Sequence, residues 1–148
     1  MAYNDLRKGR HSQSGLIYHI TTVTLNRTPF FSTFENGRKL VRELMALQQR
    51  GEVETLCYVI MPDHFHWLMR LQKGKLSDVV GQLKARTAHA IGQAIWQPNF
   101  FDHALRADED FRRIARYIVA NPLRSKLVTR IEEYSFWDAV WLEETLSG

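Results

Sequence analysis

The chain has 148 residues, 45% hydrophobic and 24% charged, with 20 Lys+Arg against 16 Asp+Glu for a net charge of +4. That balance excludes a disordered polyion and suits one domain able to bury a core. No run approaches the ~18 apolar residues of a membrane span, the polar start MAYNDLRKGRHSQSG lacks the apolar stretch of a secretion signal, and the single Cys57 excludes an internal disulfide or cysteine-based zinc site, so a cytoplasmic setting is expected.

Leu16 to Leu25 (LIYHITTVTL) is rich in β-branched and aromatic residues and reads as a strand, broken by Thr28-Pro29. Phe34 to Arg50 places Leu40, Val41, Leu44, Met45 and Leu47 at helical spacing, with Gly51 just beyond. Val53 to Met61 reads as a second strand. Pro62-Asp63 interrupts it, and His64 to Leu71 forms a third, antiparallel to the second. Leu76 to Ile95 reads as an amphipathic helix with Ser77 as its cap. Phe100 to Arg106 gives a short fourth strand, and Asp108 to Ala120 a third helix opened by Asp108, Glu109 and Asp110. No repeat or linker divides residues 1–148, so one domain is expected. The order β-α-β-β-α-β plus a helix predicts an α+β, ferredoxin-like split βαβ fold. Its antiparallel sheet would carry helices on one face and leave the other face open for a site.

Charge is unevenly spread: residues 1–50 carry +5, 51–111 carry −2, 112–130 carry +6 and 131–148 carry −5. Two basic blocks brought together would attract a polyanion. In HFHWLMRL, side chains alternate between faces, so Phe65, Trp67, Met69 and Leu71 belong against the helices. His64, His66, Leu68 and Arg70 point the other way, with the imidazole-bearing Cβ atoms about 6–7 Å apart. Two such nitrogens can converge on one divalent ion. An H-x-H alone is more often two surface histidines without a ligand; with the flanking strand pattern the two readings stand level.

In DEDFRRIARYIVANP, Phe111, Ile114, Ala115 and Ile118 supply a buried stripe. Tyr117 and Asn121, four apart, share a side of the helix with Arg113, and Arg112 and Arg116 flank them. A phenol in line with an amide and a guanidinium suits phosphodiester transesterification, with tyrosine as nucleophile and arginine on the phosphate. Since a free tyrosine ionises only near ~10, a neighbouring cation must favour the phenolate. Taken alone, the same pattern is a tyrosine at a core edge and an asparagine ending a helix before Pro122.

Together these residues carry a resemblance. MPDHFHWL resembles the paired-histidine motif of the HUH endonuclease superfamily, and RYIVANPLRSKLV is similar to the tyrosine helix of its REP-associated tyrosine transposases. GRHSQSGLIYHIT, FFDHALR and YSFWDAVW extend the likeness over roughly residues 9–141. The resemblance implies that His64 and His66 bind a metal, Mg²⁺ or Mn²⁺, and that Asn121 is its third protein ligand. It implies that Tyr117 attacks single-stranded DNA beside a hairpin formed by a repetitive extragenic palindrome, stays linked to the 5′ phosphate and frees a 3′ hydroxyl. A monomer or weak homodimer, associated with the bacterial nucleoid, is the implied state. Lys126 stands where such proteins usually carry glycine, and a regulatory tail beyond Gly148 is not expected.

Candidates for DNA contact are Arg7, Lys8, Arg10, His11, Lys84, Arg86, Arg112, Arg113, Arg116, Arg124 and Lys126. An exposed ring would stack unpaired bases, but the sequence does not say which of 17 aromatics does so. The rival expectation is a ferredoxin-like module that grips structured nucleic acid without cutting it. A zinc hydrolase of small molecules is excluded by ligand count, since no HExxH is present.

Overall fold

A computed structural model describes residues 15–106, 110–124 and 137–139. Its elements are β1 (Ile17–Val23), α1 (Phe34–Gln49), β2 (Val53–Ile60), β3 (His64–Leu71), α2 (Leu76–Ile91), β4 (Phe101–Ala104), α3 (Phe111–Val119), α4 (Asn121–Arg124) and β5 (Trp137–Ala139). Five strands form one sheet in the order β4-β1-β3-β2-β5, antiparallel at each pairing. With β3 lying between β1 and β2, the β1-α1-β2 unit is the split βαβ expected of a ferredoxin-like fold. The fifth strand, pairing Val59 with Trp137, was not foreseen.

One sheet face is sealed by α1 and α2. Tyr18 and Ile20 of β1 and Phe65, Trp67, Met69 and Leu71 of β3 are buried there against Leu40, Leu44, Leu47, Val79, Val80 and Leu83. The amphipathic spacing thus did place each helix. Thr33 caps α1 by accepting from the Asn36 amide. The cap of α2 is Lys75, not Ser77, and makes no side-chain cap bond. That helix also stops at Ile91, four residues early, because Gly92 takes the left-handed conformation (φ 94°) that closes a helix without a Cβ clash.

The opposite face is not wholly open. A second core of Cys57, Val59, Met61, Leu68 and Leu105 packs against Ala115, Ile118 and Val119, so α3 lies across part of it. A bulge in β2 makes this possible. The register with β3 shifts between Thr55 and Cys57, which exchanges the faces of all later residues. Val53 therefore faces the main core along with Tyr58 and Ile60, while Cys57 and Val59 face α3.

Candidate active site

β3 carries both histidines on the α3 side, as its alternation requires, and their ring centroids lie 5.0 Å apart, edge to face. Each is held through Nδ1. His64 Nδ1 donates to Asp63 Oδ1 at 2.8 Å, and the other carboxylate oxygen accepts from Arg27 at 2.9 Å. Burial would raise the Asp63 carboxyl, but the hydrogen bonds and charges of His64 and Arg27 outweigh it and bring the group below its ordinary value. Arg27 reaches Asp63 from a left-handed backbone conformation (φ 53°), which costs a non-glycine residue about 1–2 kcal/mol. With Nδ1 as donor, the lone pair of a neutral His64 ring lies on Nε2.

His66 is held from β1. Thr21 is its direct cross-strand partner, and Thr21 Oγ1 lies 3.1 Å from His66 Nδ1. His19 Nε2 lies 3.2 Å from the same nitrogen. Burial, with the charge of His103 adding to it, lowers the His19 imidazole to about 4, so this ring is neutral at pH 7. A neutral ring offers one donor and one acceptor, which suits it to fix the tautomer of its neighbour. His103 faces His19 from β4 as its cross-strand partner.

Beside this array is a cavity of about 680 Å³ lined by His19, His103, Arg106, Asp110, Arg113, Ile114 and Tyr117. Asp110, Arg113, Ile114 and Tyr117 recur at helical spacing, so one flank of α3 forms a wall while Ala115, Ile118 and Val119 anchor the other to the sheet. Asp110 caps the helix by accepting from the Arg112 amide. The Tyr117 side chain is not core: it is 64% exposed. Its cavity reaches the histidine pair through His19, which lines the cavity and lies against His66.

The remaining predicted residues divide. Arg112, Arg113 and Arg116 are exposed on α3, with Arg112 lying 5.2 Å over the Phe111 ring. Lys84 and Arg86 are on α2, across the sheet from the histidines. The Lys84 ammonium donates to the Gln97 and Asn99 carbonyls at 3.0 and 2.6 Å, clamping the loop that leads into β4. Asn121 lies past the end of α3, which stops at Val119, and opens α4 with Pro122 next. It is therefore not one turn along an unbroken helix from Tyr117, as the spacing suggested. Arg7, Lys8, Arg10, His11 and Lys126 lie outside the described residues, and only the backbone of Arg124 is described. Sequence reasoning passed over His19, Thr21, Asp63, His103 and Arg106. Asp63 was findable from its place before His64; the others needed the strand register.

Among the described residues, no three His, Cys, Asp or Glu side chains are grouped to hold a metal ion. The donor set at this place is two imidazoles, both fixed by a partner at Nδ1. That chemistry fits a divalent ion completed by water, a phosphate oxygen or an amide.

Residues 12–121 match the family model described as IS200-like transposase. The chain belongs to that family. An Escherichia coli (strain K12) REP-associated tyrosine transposase is 33% identical over 86 residues, which cover 56% of this chain and 52% of that protein. The aligned part thus spans about half the length of that relative. A Haemophilus influenzae protein bearing a provisional form of the same name is 24% identical over 149 aligned positions, covering 86% of this chain and 81% of that one. A solved structure of a REP-associated tyrosine transposase bound to a REP hairpin superposes with TM-score 0.76 and 27% identity, covering 86% of this chain and 79% of its own. The family reached from the HUH and tyrosine motifs is thereby the right one, and the ferredoxin-like α+β fold stands with it. No helix among the described residues is long and apolar enough to cross a membrane.

Proposed function

We propose that this transposase-family chain is a metal-dependent single-stranded DNA endonuclease and strand transferase acting at DNA hairpins, with Tyr117 as nucleophile. The observation that carries the reading is the placement of an exposed phenol on a cavity wall with Arg106 and Arg113, beside the imidazole that holds His66. A phosphodiester in that cavity would meet the nucleophile and two guanidinium groups.

The Tyr117 oxygen forms a bond to phosphorus while the bond from phosphorus to the 3′ oxygen breaks. The phenol gives up its proton, and the departing 3′ oxygen gains one and leaves as a hydroxyl. The 5′ phosphate remains on Tyr117, so the energy of the broken ester is kept for rejoining. Arg106 and Arg113 orient the phosphate and offset its charge. His64 and His66 would hold Mg²⁺ or Mn²⁺, with Asn121 as a third ligand; when bound, the ion polarises the scissile phosphate. Asp63 and the Thr21–His19 pair orient the two ligating rings. The similarity to a protein solved with a REP hairpin supports a hairpin substrate.

The test is a denaturing gel of hairpin oligonucleotides with single-stranded extensions, incubated with Mn²⁺. The wild type is expected to yield a covalent 5′ adduct that Tyr117→Phe does not form, and chelator is expected to stop cleavage while leaving binding. Equal cleavage by both proteins refutes the tyrosine assignment. Tight binding without cleavage under any divalent ion would favour a non-cutting nucleic-acid module.

A further inference from the structure

The sheet register sets one exposed aromatic ring in line with the histidine pair. β4 is the edge strand, and its residues alternate: Asp102 is buried, whereas Phe101 and His103 are exposed on the other side. Phe101 pairs across with Thr21, and Thr21 pairs across with His66. Phe101, Thr21 and His66 thus form one row on one face of the sheet, two strand spacings or about 10 Å from end to end. The parallel row is His103, His19 and Leu68, which leads to the Tyr117 cavity.

Single exposed aromatics are common on protein surfaces. Phe101 differs by position. Its neighbour Phe100 is buried in the main core, so the pair sends one ring inward and one outward. The outward ring is 51% exposed, at the rim of the same face as both histidines and Tyr117. The other strongly exposed aromatic side chains of the described residues are Phe34 at the start of α1 and Tyr117 itself. Every nucleobase has a flat π surface, so one ring beside a phosphate-binding centre binds single strands with little regard to sequence.

We propose that Phe101 is a stacking platform for an unpaired nucleobase, seating the nucleotide that adjoins the phosphate at the His64–His66 centre. A duplex cannot use it, because paired bases are stacked on each other. The residue would therefore select single-stranded over double-stranded DNA at the cutting point. The proposal rests on the single-strand DNA reading above, and its test does not use cleavage, so the two can fail separately.

The experiment measures fluorescence anisotropy in chelator, in a Tyr117→Phe background. The probes are a labelled 12-nucleotide oligo-dT and an abasic phosphodiester chain of equal length. Phe101→Leu keeps an apolar strand residue without an aromatic face; Phe101→Trp keeps the face. Phe101→Leu is expected to weaken oligo-dT roughly 5- to 100-fold and leave the abasic chain unchanged, while Phe101→Trp binds as the parent does. Equal losses on both probes, no loss on oligo-dT, or a loss in Phe101→Trp matching that in Phe101→Leu would each overturn the proposal. A parent that binds neither probe overturns it together with the single-strand reading. Cleavage failing while the stacking result holds would sink only the nuclease assignment.

Discussion

Ile118→Ala tests whether the tyrosine helix is a separately docked unit. Ile118 is 1% exposed and packs among Cys57, Val59, Met61 and Leu68, on the sheet face opposite the main core. Only Ala115 and Val119 share full burial with it on α3. Burying a large aliphatic side chain contributes about 1.5–3 kcal/mol, so three such positions, one an alanine, supply on the order of 5 kcal/mol of gross docking energy. Truncating a buried isoleucine to alanine costs about 2–5 kcal/mol, a large share of that sum. Even the lower figure shifts the docked-to-undocked ratio about 30-fold. Hydrogen exchange reads this directly, because amides of a sub-globally opening element report their own opening. In Ile118→Ala, α3 amides are expected to exchange at least about 30-fold faster, and single-turnover cleavage to fall as the phenol leaves its cavity. Leu83→Ala, in the main core, serves as the contrast: it should speed β3 amides and lower Tm while leaving α3 exchange unchanged. If Leu83→Ala accelerates α3 as much as Ile118→Ala does, the two cores unfold as one and the reasoning is refuted.

The lowered His19 pKa of about 4 makes the unfolded chain bind a proton that the folded chain refuses between roughly pH 6.5 and 4. That contribution is complete above pH 6.5 and declines as pH falls through this window, so His19→Gln should flatten the urea-stability slope there; an unchanged slope counts against a buried neutral ring. Asp63→Asn replaces the carboxylate that accepts from His64, and should weaken Mn²⁺ affinity about 10- to 100-fold by titration calorimetry. Unchanged affinity would mean that His64 needs no such partner. Lys84→Met is expected to cost about 1–3 kcal/mol of stability through two lost carbonyl contacts, with the salt dependence of DNA binding unaltered. Arg113→Ala, by contrast, should reduce the slope of log affinity against log salt by about one. Exchanged outcomes for that pair would place DNA on the α2 side of the sheet.

The elements were legible because their signals are local. Alternation in HFHWLMRL is set by strand geometry, so the two faces of β3 could be read without any neighbour. Helical spacing likewise found α1 and, on α3, the buried Ala115 and Ile118, while Phe111 and Ile114 are only partly buried and Val119 was missed. Errors arose where a single residue's backbone decided the outcome. Gly92 ended α2 early, and the continuity of α3 into Asn121 was lost at Ala120. That Lys84 reaches two loop carbonyls could not be read from its charge, because Gln97 and Asn99 meet it only in the folded chain.

The sequence by itself settled which side chains share a face of β3 and which share a flank of α3, since type and spacing along one element are its own information. Only the tertiary structure decided what stands beside them. Thr21 and His19 meet His66, and Phe101 joins the row beyond Thr21, through cross-strand register, and a one-residue slip would send all three to the other face. The β2 bulge likewise turns Cys57 and Val59 toward α3, giving the tyrosine helix its seat. Such pairings join residues some forty or more positions apart, and their energy comes from contacts that exist only once the sheet has formed.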